Sequence, residues 1–258
     1  MSGYDVDKGP SVSHHKPSLT VRRRQAIGPG TMDENGIKAG VLTRIRRQAS
    51  GRALPIVTSE FSLNGTGIRA DLAILDGPTF YGVEIKSEHD TLKRLPSQME
   101  GYARYFDRTE LVVAPKHLHG LRDIDLFGAD VWRYEALTDW QLHEQGTARK
   151  VSGQWLLHLL PAQEERRAHR RIEKNKVEYA ARDIDSVRRA EFEHAFARRY
   201  EPTSSAFWSQ VRGRKITVND LKLLSRFHAD RQLHSTIEQE NAARWDDWAK
   251  AMQSISNG

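Results

Sequence analysis

Three charged residues interrupt two short apolar runs in the stretch "GIRADLAILDGPTFYGVEIKS", residues 67–87: Asp71, Glu84 and Lys86. The intervening "DGPT" has the composition of a turn, so the runs on either side are expected to close into a hairpin whose register decides where the charges go. Placing Leu75 opposite Phe80 brings Ile74 to Tyr81, Leu72 to Val83 and Ala70 to Ile85, a coherent apolar set that a one-residue slip would scramble. The same register sets Asp71 directly across from Glu84, with Cβ atoms about 5 Å apart, where like charges destabilise a sheet. A divalent cation between them turns the repulsion into coordination. The chain has no cysteine, so the donors available are oxygens and histidines, and hard Mg²⁺, with Mn²⁺ as its substitute, is the guest that two carboxylates suit. Lys86 lies two residues beyond Glu84 and therefore on the same face of the strand. An ammonium there can orient or help deprotonate an attacking water and offset charge developing on phosphate oxygens, so the chemistry this set points to is phosphodiester hydrolysis.

These residues need a scaffold, and the flanking sequence supplies one. Thr31 and Glu34 form a T-x-x-E capping box, after which Ile37, Val41, Leu42 and Ile45 recur at helical spacing to about Gln48, with Gly51 as the stop. From Pro55 the pattern changes to short strand-like runs, "IVTSEFSL", "IRADLAIL", "FYGVEIKS", "ELVVAP" and "ADVWRY". Between the third and fourth, "LPSQMEGYARYFD" reads as a helix with Pro96 in its first turn and Met99, Tyr102, Ala103 and Phe106 on one face; a shorter helix is expected in "HLHGLRDID". This order implies an α/β fold, a mixed central sheet flanked by helices. Residues 1–30 read as a disordered or loosely ordered basic arm, 31–160 as the domain that carries the site, and 161–258 as a helical appendage. Within the last, "AQEERRAHRRIEKNKVEYAARD" is almost all charge, which suits either a solvent-bridging helix or one that binds something acidic, and Thr217 with Asp220 opens a further helix.

Asp71 followed by Glu84-Ile85-Lys86 on such a hairpin resembles the D...(D/E)xK signature of the PD-(D/E)XK nuclease superfamily. Gln98 to Tyr102, "QMEGY", on the following helix resembles the QxxxY motif of its RecB-like branch. The resemblance covers residues 31 to about 135 and implies a restriction-endonuclease-like fold. It also implies a Mg²⁺-dependent deoxyribonuclease in which Asp71, Glu84 and the backbone carbonyl of Ile85 ligate the metal and Lys86 is the catalytic lysine. Gln98 and Tyr102 would contact substrate or support the site. Where the superfamily's name has a proline, this chain has Arg69-Ala70 before Asp71. A further acid is expected from the first helix or strand: Glu34 already serves the capping box, whereas Glu60 interrupts an apolar run with no local reason, so Glu60 is preferred. Arg69, on the Asp71 face, and Lys93 and Arg94, just past the catalytic strand, are candidates for gripping phosphate.

Composition agrees with this reading without requiring it. The net charge of +6 favours a polyanionic partner, and no run approaches the roughly 18 apolar residues of a membrane helix, so a cytoplasmic, soluble protein without a membrane partner is expected. DNA rather than RNA follows from the resemblance alone, and repair and phage defence are both settings that fit. The rival reading is a nuclease fold that no longer cuts and serves as a DNA-binding or protein-interaction module, with the helical C-terminal region as the surface for a protein partner.

Overall fold

Gly77, in the left-handed region at φ +56, makes the tight turn that closes β2 (Ile68–Asp76) on β3 (Thr79–Lys86). The antiparallel register runs Asp76↔Thr79, Leu75↔Phe80, Ile74↔Tyr81, Ala73↔Gly82 and Leu72↔Val83, as the hydrophobic pattern requires. The ladder does not extend to the expected Ala70–Ile85 pair. There the Ile85 amide donates instead to Asp71 Oδ2 at 2.7 Å, so the carboxylate takes the bond a backbone carbonyl would have accepted. The structure, a computed structural model, describes residues 33–136, 139–175 and 183–224.

Around this hairpin the sheet has six strands in the order β1-β2-β3-β4-β5-β6. β1 (Ile56–Leu63) is antiparallel to β2, while β4 (Arg108–Val113) and β5 (Asp130–Ala136) continue the sheet in parallel from β3. Helix α2 (Leu95–Tyr105) provides the crossover from β3 to β4 that a parallel pair needs. The helix expected in "HLHGLRDID" reduces to two 3-10 turns, Pro115–His117 and His119–Leu121. β6 (Asp139–Glu144) pairs antiparallel with β5.

Helices cover both faces. On one, α1 (Glu34–Gln48) packs Ile37, Val41, Leu42 and Ile45 over Leu72, Ile74, Val83 and Ile85. On the other, α2, the short α3 (Gly153–Leu157) and α4 (Ala162–Lys174) bury Met99, Tyr102, Leu156, Leu157, Ala168 and Ile172 with Phe61 and Phe80. Helix α5 (Ile184–Gln210) serves both faces: Phe192 and Phe196 belong to the second cluster, Phe207 and Trp208 to the first. In passing, it covers the edge strand, for Ser204 Oγ accepts from the Val57 amide at 3.0 Å and Trp208 Nε1 donates to Pro55 O at 2.8 Å. The composition change at residue 161 therefore marks no break in packing. The expected start at Thr217 holds as a cap, its amide and hydroxyl both donating to Asp220 at 2.8 Å, but the turn that follows, Val218–Leu224, is 3-10.

One buried ion pair fastens α5 to the hairpin. Asp107, just before β4, accepts the Phe80 amide at 2.8 Å, the Val151 amide at 2.9 Å and the Arg189 guanidinium, which in turn donates to Pro78 O and Val151 O. Removing one member leaves the other charge buried and unpaired. Arg189→Ala is expected to cost about 3–5 kcal/mol in equilibrium urea unfolding, with Asp107→Ala adding less than its own single effect. A loss below about 1 kcal/mol would show that solvent reaches the pair.

Candidate functional site

Glu84 is 2 % exposed, yet it has three donors. Lys86 Nζ donates to Oε1 from two residues along β3, Gln98 Nε2 donates to Oε1 at 2.6 Å, and Tyr102 OH donates to Oε2 at 2.6 Å. Gln98 and Tyr102 lie one helical turn apart and so share a face of α2. Gly101, between them, faces Ile68, whose Cδ1 would have to shift to admit a Cβ there. Tyr102 is fully buried, and burial, then the charges of Glu84 and Asp71, holds its phenol well above the usual range, so it remains a proton donor. Of the two roles open to the QxxxY pair, Tyr102 has the supporting one, reaching the site through Glu84. Gln98 sits on the cleft wall, where its Oε1 is buried without a hydrogen-bond partner among the described residues.

Beside Glu84 a second acidic group assembles from three elements. Thr31, expected to cap α1, lies outside the described residues; Asp33 is the N-cap, accepting the Gly36 amide at 2.8 Å. Glu34, for which the capping box was the reason to prefer Glu60, instead pairs with Lys38 one turn along. Glu60 is present too, held at φ +56 in the middle of β1, a left-handed conformation that costs a non-glycine residue about 1–3 kcal/mol. Carboxylate oxygens of Glu34, Glu60 and Asp71 all lie within 4.8 Å of one another.

Lys38 is the cation this trio shares. Its Nζ is 2.7 Å from Glu60 Oε1, 3.2 Å from Glu34 Oε1 and 3.8 Å from Asp71 Oδ1, with the side chain 3 % exposed. Burial pulls its ammonium pKa down, but the surrounding carboxylates outweigh that and leave it raised. One lysine does not discharge the group. Burial first, and then the charge of Glu84, push the Asp71 carboxyl up to about 8 despite Lys38 and the Ile85 amide. Sequence reasoning missed Lys38, although a signal existed: it falls inside the apolar stripe of α1, four residues before Leu42 and seven before Ile45.

Glu34, Glu60, Asp71, Glu84 and Gln98 line an open cleft of about 620 Å³. Ile85, Lys86, Arg69 and Arg94 also line it, whereas Lys93 is exposed and lies outside the lining. Arg69 Nε lies 2.7 Å from Glu60 Oε2 in an ion pair, so at the rim it both offsets an acid and presents a cation. The donor set near Asp71 is all carboxylate oxygen and fits a hard divalent ion. Glu84, expected as a ligand, stands next to this trio with each oxygen already accepting a bond, and Ile85 reaches Asp71 through its amide.

The chain belongs to the Bacteriophage P4 protein cII family, whose model matches residues 29–225 and so takes in every described element. A solved structure of a protein of unknown function from Silicibacter pomeroyi is similar over 57% of this chain and 92% of its own, at 17% identity and a TM-score of 0.36. Among curated proteins none matches. No helix among the described residues is long and apolar enough to cross a membrane.

The uneven charge balance has a measurable consequence in metal-free protein. Asp71→Asn keeps an oxygen for the Ile85 amide and removes an acid that folding at neutral pH must protonate or hold charged beside Glu84, so in EDTA it is expected to raise Tm by at least about 2 °C. Lys38→Met leaves the acids without their shared cation and is expected to lose about 1–3 kcal/mol, less than for a fully buried pair because Glu60 is half-exposed. Thermal melts check both; equal Tm values for the two variants would contradict this electrostatic balance.

Proposed function

We propose that this cII-family chain is a metal-dependent nuclease of the PD-(D/E)XK type that hydrolyses phosphodiester bonds, with DNA as the substrate the resemblance favours. The observation that carries the reading is the convergence of two separate motifs on one carboxylate: Lys86 from D...ExK and Gln98 and Tyr102 from QxxxY all bond Glu84, with Asp71 alongside. Chance spacing would produce either pattern without bringing them together.

In this reading Asp71, Glu60 and Glu34 would hold Mg²⁺, or Mn²⁺ in its place, and the bound ion would supply Lewis-acid stabilisation of the phosphate and lower the pKa of water. The chain's own residues do the rest. Glu84, fixed by three donors, keeps its charge directed at the cleft and sets the position of Lys86. The Lys86 ammonium orients the attacking water and offsets negative charge that grows on the phosphate oxygens. Arg69 and Arg94 at the rim take up the flanking phosphates. Lys38 supplies the counter-charge to these carboxylates, a role that an ion held by Glu60 would share.

Lys38 also favours a second reading, a nuclease fold without cutting activity that binds DNA or protein, because a lysine among three acids is a way to keep such a cleft folded without metal. Cleavage of single-stranded, duplex and branched DNA, with RNA in parallel, in Mg²⁺ or Mn²⁺ separates the two. The nuclease reading expects wild-type cleavage that falls at least about 100-fold in Asp71→Ala and in Lys86→Ala. It also expects Tyr102→Phe, which frees one Glu84 oxygen, to weaken metal affinity or activity about 10- to 100-fold. Binding without cleavage of every substrate would favour the second reading, and cleavage undiminished in Asp71→Ala and Lys86→Ala would place the chemistry elsewhere.

A further inference from the structure

Helix α4 gathers most of its basic residues on one side. Its buried residues are Ala168 and Ile172. At 3.6 residues per turn, Arg166, Arg167, Arg170 and Lys174 fall within about 100° of arc on the opposite side. All four are exposed, and none has an ion-pair partner among the described residues. The acids of the first turn look inward: Glu164 pairs with Arg199 at 2.7 Å and Arg198 at 3.7 Å, and Glu165 with His158 at 2.7 Å. The remaining arginine of the helix, Arg171, sits off the stripe and is spent on Glu191 at 2.6 Å. Exposed Glu173 borders the same face, which therefore carries four positive charges against one negative over about 12 Å of helix.

The helix also starts where a path from the cleft ends. A second groove, of about 670 Å³, shares Glu60, Ser62 and Arg69 with the cleft and runs to Pro161, Arg199 and Tyr200, at the start of α4. We infer that the outward face of α4 is a phosphate-binding track for nucleic acid extending beyond the cleft, so that the substrate is a polynucleotide reaching past the cut rather than a short fragment. This rests on the nuclease reading for the identity of the ligand in the cleft, while the track itself is tested by binding alone. Release of condensed counterions from the phosphates drives such binding and gives it a salt signature.

The test is fluorescence anisotropy of an about 30-nucleotide DNA across a salt series in EDTA, where no cutting occurs. It compares the full chain with the quadruple variant Arg166→Gln, Arg167→Gln, Arg170→Gln, Lys174→Gln, glutamine being a good helix former. Far-UV circular dichroism and Tm are expected to stay unchanged, since the side chains are exposed. The track expects affinity to fall about 10- to 100-fold at low salt and the log–log salt slope to drop by about 2–3. Replacing the three arginines with lysine should preserve the slope, because a point charge suffices for phosphate. An unchanged slope and affinity in the quadruple variant, whether the face is merely solvated or receives an acidic protein, would overturn the inference, as would absence of wild-type binding. Wild-type protein that binds through the stripe but cuts nothing sinks the nuclease reading and leaves the track; a cutting enzyme with an unaltered slope does the reverse.

Discussion

Four carboxylates, those of Glu34, Glu60, Asp71 and Glu84, meet at one end of a three-stranded unit, and their mutual repulsion is the constraint around which the structure is organised. Two unit charges 4.8 Å apart repel by about 3–4 kcal/mol at an effective dielectric near 20, so such a group forms only where other parts of the chain compensate. Each neighbouring element does so. Helix α1 delivers an acid and, one turn later, the lysine that spans it; β3 places Lys86 on the face of Glu84; α2 turns a glutamine and a buried phenol onto the same carboxylate; β2 contributes Arg69 at the rim. The compensation is incomplete, as the raised Asp71 carboxyl records.

The scaffold is stiffened where this tension is greatest. Glu60 holds a left-handed backbone inside β1, an edge strand with only β2 beside it. The other side of β1 is covered by α5, whose Ser204 and Trp208 bond the Pro55–Val57 backbone and whose Phe196 meets Phe61, the residue after Glu60, edge to face. The Arg189–Asp107 pair then fixes the same helix to the hairpin turn. The C-terminal helices thus hold β1 on either side of Glu60 in sequence, Val57 by a hydrogen bond and Phe61 by ring contact, which lets the chain tolerate the local strain there.

Much of the site was legible because a strand hairpin has a period of two and few registers. The apolar residues alone set Leu72 against Val83, and Asp71 and Glu84 followed. Glu60 was legible as a charge in an apolar run. What escaped had physical reasons. Thr31 and Asp33 can both cap a helix, and choosing Thr31 assigned Glu34 to local duty and hid its place in the cluster. Lys38 reads as ordinary helix surface unless its angular position is followed across the sheet. β6, "DWQLHE", is mostly exposed and lacks the alternation that marks a strand. α5 carries Pro202 in its interior and charge along much of its length, so its role across both faces of the sheet emerges only from tertiary contact.

The account turns on whether the acid cluster accepts a divalent ion in exchange for the lysine that now serves it. A crystal structure of the protein grown with Mn²⁺, with anomalous data, answers this directly. The expected result is a single strong peak about 2.0–2.2 Å from oxygens of Asp71 and of Glu60 or Glu34, with Lys38 Nζ withdrawn from Glu60. A map with no peak in the cleft, and Lys38 still 2.7 Å from Glu60, would contradict it.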